Sequence, residues 1–236
     1  MDLSIVIPAY NEEHKISRDL EAALAFLDAY SLRGEILVVD DGSKDNTIQR
    51  VQEFPQVTLL EYGRNRGKGY ATRYGIARTQ GNCVMFADAG LCVPYELALV
   101  GMTYIRHNMC DIAVGNRRIS GSRLEGQRFY RRVGTWLNSL MVRGLMGIPW
   151  YLNDTQCGFK MFRGTVARQI YGEMITDRMM ADIEMLLRSH RAGHRIMNFA
   201  VPWTADLDTR FNPLWGQLNN FAELAKIKRM LWKAGK

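Results

Sequence analysis

From Leu3 to Ala87 the chain alternates short β-branched apolar runs with stretches of helical period, and no other feature constrains its fold as tightly. Leu3-Ser4-Ile5-Val6-Ile7 has the length and branching of a buried strand, closed by Pro8. Ile16, Leu20, Ala23 and Leu27 then recur at helical spacing, which predicts an amphipathic helix from about Glu12 to Tyr30. Glu35–Val39 reads as a second strand and is followed by a helix to about Phe54. A strand at Val57–Tyr62, a helix at about Gly69–Thr79 and a strand at Cys83–Ala87 continue the pattern. Strand–helix repeats at this interval are βαβ units, so the expected class is α/β with a mainly parallel sheet flanked by helices.

After Tyr95 the alternation weakens. Asp111–Gly115, Gly158–Phe162 and Arg195–Val201 read as strands and Asp182–Ala192 as a helix. Arg128–Gly147 reads as a helix with Phe129, Val133, Trp136 and Leu140 on one face. Trp215–Trp232 is amphipathic, with Leu218, Phe221, Ala225 and Trp232 on one face and Lys226, Arg229 and Lys233 along its flank. There is no internal repeat or linker. The expectation is one domain, residues 1–209, and a basic C-terminal segment, residues 210–236.

Composition excludes several classes. A hydrophobic content of 47% rules out disorder for the whole chain. No uncharged apolar run reaches the ~18–20 residues of a spanning helix. The nearest, Val133–Asn153, contains Arg143 and breaks at Pro149, so it suits the surface of a membrane better than its interior. Met1 leads straight into a strand-like run, which predicts no signal peptide. Cys83, Cys92, Cys110 and Cys157 form no CxxC or zinc-like pair, as in a cytoplasmic chain with reduced thiols. A net charge of +7 calls for an anionic partner: nucleotide sugar, anionic lipid or nucleic acid. The basic residues interleave with aromatics in no known nucleic-acid motif, which removes the third, and no protein partner is inferable.

Parallel sheets bind ligands beyond the carboxyl ends of their strands. Four successive strands here end in polar or Gly-rich loops: Pro8-Ala9-Tyr10-Asn11-Glu12, Asp40-Asp41-Gly42-Ser43, Gly63 to Gly69, and Asp88-Ala89-Gly90. Four such loops on one rim make a site. Ser43 and Asp45 are equally well explained as helix caps. The adjacent carboxylates of Asp40 and Asp41 repel unless a cation or a hydrogen-bonding ligand shares them, and a nucleoside has the needed donors. Asn65-Arg66-Gly67-Lys68-Gly69 can turn backbone N–H groups and two cations toward phosphate, but it lacks Walker A spacing, and a solvated turn explains it too.

In order and spacing these four loops resemble family 2 glycosyltransferases with the GT-A fold. Asp154-Thr155-Gln156-Cys157-Gly158-Phe159-Lys160-Met161-Phe162 and Ala181-Asp182-Ile183-Glu184 resemble segments of the members that glucosylate dolichyl or other polyprenyl phosphates; members that transfer mannose to dolichyl phosphate are related. The resemblance implies inverting transfer of a hexose from a nucleotide sugar. It implies that Pro8, Tyr10, Glu12 and Asp41, with Asp40 beside it, hold the nucleoside, that Lys68 lies near the base or phosphates, and that Asp88 belongs to the metal–diphosphate motif. That motif is DxD, and here Gly90 replaces the second carboxylate, while Cys92 is unsuited to a hard cation. Mg²⁺ or Mn²⁺ is therefore expected to be held weakly by Asp88 and the diphosphate. The alternative is that Lys68 or Arg117 neutralises the leaving group. Restoring the motif by Gly90→Asp is expected to lower the metal requirement, provided the backbone there does not need a positive φ.

Six arginines fall between Asn116 and Arg132: Arg117, Arg118, Arg123, Arg128, Arg131 and Arg132. For Arg118 and Arg123 a solvated surface is the plainer reading. Arg131 and Thr135 are one helical turn apart, and Arg117, Arg131 and Thr135 sit where the resemblance places the acceptor phosphate. Trp136–Trp150 suits isoprene units or an ordinary core helix. A phosphate acceptor, with a second pKa of ~6, needs positioning rather than a general base. His14, His107, His190 and His194 fall in or beside predicted helices away from the rim, so none is assigned to catalysis. Asp154 and Asp182 are the carboxylates best placed by motif, as orienting groups or a base, with helix capping as the alternative. From Arg210 to Lys236 six Lys/Arg face one Glu, a charge that suits an anionic leaflet or water about equally. The expected function is transfer of glucose from UDP-glucose to a polyprenyl phosphate at the cytosolic face of a membrane. Alternatives are a GDP-mannose donor, a saccharide hydroxyl acceptor, or nucleotide-sugar binding without catalysis.

Overall fold

The computed structural model describes residues 1–122, 124–125, 142–204, 220 and 222–230. The early alternation becomes β1 (Leu3–Ala9), α1 (Ile16–Ala29), β2 (Gly34–Asp40), α2 (Thr47–Gln52), β3 (Val57–Glu61), α3 (Lys68–Ile76) and β4 (Cys83–Ala87). A 3-10 turn at Tyr95–Leu97 then leads into α4 (Ala98–Arg106) and β5 (Ile112–Asn116). Next come β6 (Leu124–Glu125), β7 (Phe159–Arg163), α5 (Gly164–Glu173), α6 (Ala181–Arg191), β8 (Ile196–Ala200) and β9 (Trp203–Thr204). Residues 142–146 and 222–230 are also helical.

Seven strands form one sheet in the order β3-β2-β1-β4-β7-β5-β8, and β6 and β9 pair separately. β7 runs antiparallel to both neighbours, while the β1–β2, β2–β3, β1–β4 and β5–β8 pairs are parallel. Alternate side chains feed two cores, one on each face. Val6, Val39, Val84 and Phe86 pack with α3, α5 and α6, whereas Ile5, Ile7, Val38 and Met85 pack with α1 and α4.

Several boundaries differ from the sequence expectation, each for a local reason. β1 continues through Pro8 and Ala9, paired with Val39 and Asp40, because pairing with β4 stops at Val6. α1 starts at Ile16, not Glu12, since the N–H groups of Asn11, Glu12 and Glu13 are bonded to Ser43, Thr47 and Asp45. α2 ends before Phe54, where Pro55 disfavours helical backbone. After β5 the strict alternation does weaken, as expected, since α5 and α6 follow one another and so do β8 and β9, but two helices fall outside the expectation. The short helix α4 buries Ala98, Gly101, Met102 and Ile105 at helical spacing, and α5, which was not expected, buries Val166, Ala167, Ile170 and Tyr171.

The expected apolar face of the C-terminal helix is also corrected. Leu224 and Ile227 are buried and Met230 packs beside them, whereas Ala225 is exposed with Lys226, Lys228 and Arg229. Glu223 accepts the N–H groups of Arg178 and Met180, both at 3.2 Å, and Lys226 donates to the Ile175 carbonyl at 3.1 Å. These bonds dock the helix on the domain. Arg123, Arg128, Arg131, Arg132 and Thr135 lie outside the described residues. So do residues 128–141 of the expected helix, the junction at 209–210, and Leu218, Phe221, Trp232 and Lys233.

α3 lies close on the sheet because Gly75 has no side chain. A Cβ there would stand 2.6 Å from Val6 Cγ1 and 2.7 Å from Val39 Cγ2. Both neighbours are β-branched and stiff at χ1, so neither yields easily. Gly75→Ala is expected to cost about 1–3 kcal/mol through overpacking, read as a lower thermal midpoint of ~2–4 °C per kcal/mol.

Candidate active site

The loops after β1 and β2 are stitched together by their polar side chains. Asn11, in the left-handed region at φ 56°, donates its N–H to Ser43 Oγ at 2.9 Å and accepts the Lys44 N–H at 2.6 Å. Thr47 Oγ1 accepts from the Glu12 N–H at 2.7 Å and donates to Asp45 Oδ1. Ser43 and Asp45 are therefore structural, but not as the expected caps: Ser43 serves the β1 loop, Asp45 accepts the Thr47 N–H at 3.0 Å, and the N-cap of α2 is Asn46, without a side-chain cap bond. Glu12 Oε2 lies 2.9 Å from Lys15 Nζ, and Tyr10, half-buried, follows β1 on the same rim. His14 stands in this rim loop too, against the expectation for all four histidines; its exposed ring faces Glu13 at 3.4 Å.

Asp40 and Asp41 are both buried, but they do different work. Asp41 accepts from the Tyr62 hydroxyl at 2.7 Å, the Arg66 N–H at 2.6 Å and the Gly67 N–H at 2.8 Å. It thus shapes the Gly-rich loop, and both its oxygens are engaged. Burial and the Asp41 charge push the Tyr62 phenol upward, so it stays a neutral donor. Asp40 Oδ2 accepts the N–H groups of Gly42 and Ser43, each at 2.9 Å, while its buried Oδ1 has no hydrogen-bond partner among the described residues. Of the two, Asp40 keeps an acceptor for a ligand.

Deeper in the site a row of alternating charges crosses from β4 to α6. Lys68 Nζ is 2.5 Å from Asp88 Oδ1 and 3.9 Å from Asp182 Oδ2. Asp182 Oδ1 accepts from Lys160 Nζ at 2.7 Å, and Lys160 also donates to the Cys157 carbonyl. The Phe86 ring lies beneath both ammonium groups, 4.9 Å from Lys68 Nζ and 5.6 Å from Lys160 Nζ. Burial disfavours the Lys68 charge, but Asp88 and Asp182 outweigh it and raise its pKa. Helix capping does not account for Asp182, whose carboxylate is tied to lysines.

The stretch from Asp154 to Phe162 meets this row directly. The Asp88 N–H donates to the Gly158 carbonyl at 2.9 Å, and a Cβ at position 158 would overlap the Asp88 carboxylate. Arg117 grips Asp154 through its own N–H at 2.9 Å and through Nε and Nη2, both at 2.8 Å. Burial opposes the Asp154 charge, yet Arg117 holds the carboxyl below its usual range, and Asp154 in turn raises Arg117. Burial lifts the Cys157 thiol to about 11, so it stays protonated. Arg118 is not a purely solvated charge: its Nη1 donates to the Asn153 carbonyl at 2.9 Å.

Among the described residues no group of three or more His, Cys, Asp or Glu side chains could hold a metal. Asp88 offers one carboxylate, with an ammonium already against it. The residues fit a divalent cation only where a diphosphate supplies most of the ligands. Gly90 has φ 105°, so its backbone does need a glycine, and Gly90→Asp would be strained there. Asp19 and Lys160 were assigned no role from the sequence. The signal was a charge inside an apolar pattern: Asp19 within the Ile16–Leu20 stripe, and Lys160 between Phe159 and Met161.

The profile of Glycosyl transferase family 2 matches residues 4–171. The chain belongs to this family. It is a glycosyltransferase. The dolichyl-phosphate beta-glucosyltransferase of Drosophila melanogaster is 30% identical to it over 248 residues, 96% of this chain and 74% of that protein. Glucosyl-3-phosphoglycerate synthase from Mycobacterium tuberculosis, solved with UDP, superposes with a TM-score of 0.69 at 18% identity, covering 96% of this chain and 80% of that one. The same synthase with Mn²⁺ and UDP-glucose gives 0.65 at 19% identity, covering 98% and 76%. The GT-A fold expected for the glycosyltransferase is the fold it has.

Lys160 has no exposed surface, so its neutralisation depends on Asp182. Asp182→Ala leaves a buried charge unpaired and is expected to destabilise the enzyme by about 3–5 kcal/mol. The double variant Asp182→Ala/Lys160→Met should recover much of that loss in urea denaturation. Additive losses would show that the pair is not coupled.

Proposed function

We propose that this glycosyltransferase moves glucose from UDP-glucose to a polyprenyl phosphate of the dolichyl type, with inversion at the sugar, at the cytosolic face of a membrane. The observation that carries the reading is the direct seating of Asp154–Phe162 against Asp88, which joins the acceptor-type motif to the donor-type loop. The 30% identity to a dolichyl-phosphate beta-glucosyltransferase across 96% of the chain supports the sugar and the acceptor class. The Mn²⁺- and UDP-glucose-bound synthase of the same fold supports the donor and the metal.

In this reading Asp40 Oδ1 accepts from the base, and Pro8, Tyr10 and Glu12, at the end of β1 and in the loop after it, hold the nucleoside with it. Asp41 acts through the Gly-rich loop that it holds. Lys68 passes from Asp88 to the donor diphosphate. Asp88, with the diphosphate oxygens, would hold Mg²⁺ or Mn²⁺, and the ion would supply positive charge to the leaving group. Arg117, oriented by Asp154, meets the acceptor phosphate together with Arg131 and Thr135. A phosphate oxygen attacks the anomeric carbon as the bond to the UDP oxygen breaks. The acceptor is already anionic near neutral pH, so no base is needed. Asp182, tied to Lys160, orients the charges rather than taking a proton. The exposed Lys226, Lys228 and Arg229 suit an anionic leaflet, each worth ~1 kcal/mol near its surface.

The test is radiolabelled transfer to a polyprenyl phosphate, with UDP-glucose and GDP-mannose as parallel donors and EDTA as a third arm. Glucosyl lipid from UDP-glucose alone is expected; a response to GDP-mannose only would overturn the donor. Full rate in EDTA would remove the metal from Asp88 and leave Lys68 and Arg117 to neutralise the diphosphate. Arg117→Lys keeps a charge beside Asp154 but loses the planar fork. It is expected to lower transfer at least tenfold while UDP affinity, measured by calorimetry, stays within about twofold.

A further inference from the structure

Asp19 lies on α1, among the residues packed on the sheet, and has no exposed surface. Its carboxylate reaches the loop that follows β4. Oδ2 accepts the Gly90 N–H at 2.5 Å and Oδ1 accepts the Leu91 N–H at 2.8 Å. The adjacent Arg18 donates from Nη2 to the Gly90 carbonyl at 3.3 Å. Both loop residues are left-handed, Gly90 at φ 105° and Leu91 at φ 50°. For a leucine that conformation is strained and persists only where its surroundings hold it. A buried carboxylate is also costly unless it is hydrogen-bonded, and burial lifts Asp19 to about 6 although the two N–H groups favour its ionised form. Two unfavourable features thus face each other, and each relieves the other.

The turn they make begins two residues after Asp88. We infer that Asp19 is a positioning residue for Asp88, latching the left-handed turn at Gly90-Leu91 so that the one carboxylate of this loop is held toward the donor diphosphate. The inference rests on the donor role proposed for Asp88. It is also in keeping with the missing second carboxylate: a backbone at φ 105° would strain an aspartate at position 90, and α1 supplies rigidity where a second ligand would have supplied charge. Groups that orient a metal-binding side chain typically change metal affinity by about 10–100-fold when they are lost.

The experiment is calorimetry of UDP binding, with Mn²⁺ and in EDTA, on the parent, Asp19→Asn and Leu20→Ala. Asparagine keeps the size of Asp19 but can accept from only one of the two N–H groups. Leu20→Ala removes core packing from the same helix while leaving both Asp19 hydrogen bonds to the turn in place. The expected result is that Asp19→Asn loses about tenfold of the Mn²⁺-dependent gain in UDP affinity, with binding in EDTA unchanged within twofold. Leu20→Ala should lower the thermal midpoint and keep the gain. Amide exchange at Leu91 should quicken in Asp19→Asn and not in Leu20→Ala. A parent with no Mn²⁺-dependent gain would remove the metal role of Asp88, and exchange at Leu91 would then decide the latch by itself. A normal gain in Asp19→Asn, or the same loss in Leu20→Ala, would overturn the positioning role.

Discussion

A lysine with no exposed surface must be neutralised where it lies, and the site is organised around how Lys160 is neutralised. Asp182 meets it at 2.7 Å and turns its other oxygen toward Lys68, which closes on Asp88. The four charges form a row in which each cation lies between or beside anions, over the face of Phe86. Separately, each would be expensive to bury; together they are held in one geometry. That geometry leaves Lys68 as the cation already in contact with Asp88, at the place where a diphosphate and its metal are proposed to bind.

The row exists because of one topological event. β7 enters the sheet antiparallel between β4 and β5, and so carries Lys160 to within reach of Phe86 and α6. The same insertion lays Gly158 on Asp88 and sets Asp154 beneath Arg117, which leaves the end of β5. Only a glycine at 158 lets the Asp88 carboxylate stand there. The two halves of the proposed reaction, donor diphosphate and acceptor phosphate, therefore meet at a strand whose direction differs from that of its neighbours.

Around this centre the rim loops hold one another in place. The β1 loop takes its hydrogen bonds from the β2 loop, the β2 loop shapes the Gly-rich loop through Asp41, and α1 holds the β4 loop through Asp19. Such mutual bonding preorganises a binding cleft before any ligand arrives. It also explains why two adjacent aspartates divide their work: Asp41 builds the loop, and Asp40 keeps the unpartnered oxygen.

The first four strands, their helices and the rim on which their loops gather were legible in the sequence, because hydrophobic period and strand-end polarity are local properties. The missing carboxylate at Gly90 was legible for the same reason, and so was the family. What the sequence by itself left undetermined was which of several similar carboxylates does what. Asp40 and Asp41 are neighbours in the chain, yet their roles depend on Tyr62, Arg66 and Gly67, twenty residues and more away. The antiparallel course of β7 follows from which strands flank it, a non-local choice that no run of apolar residues encodes. Asp19 and Lys160 looked like interruptions of apolar patterns. Only the tertiary structure brought each to its partner, since a buried charge is settled by what stands opposite it and not by its neighbours along the chain.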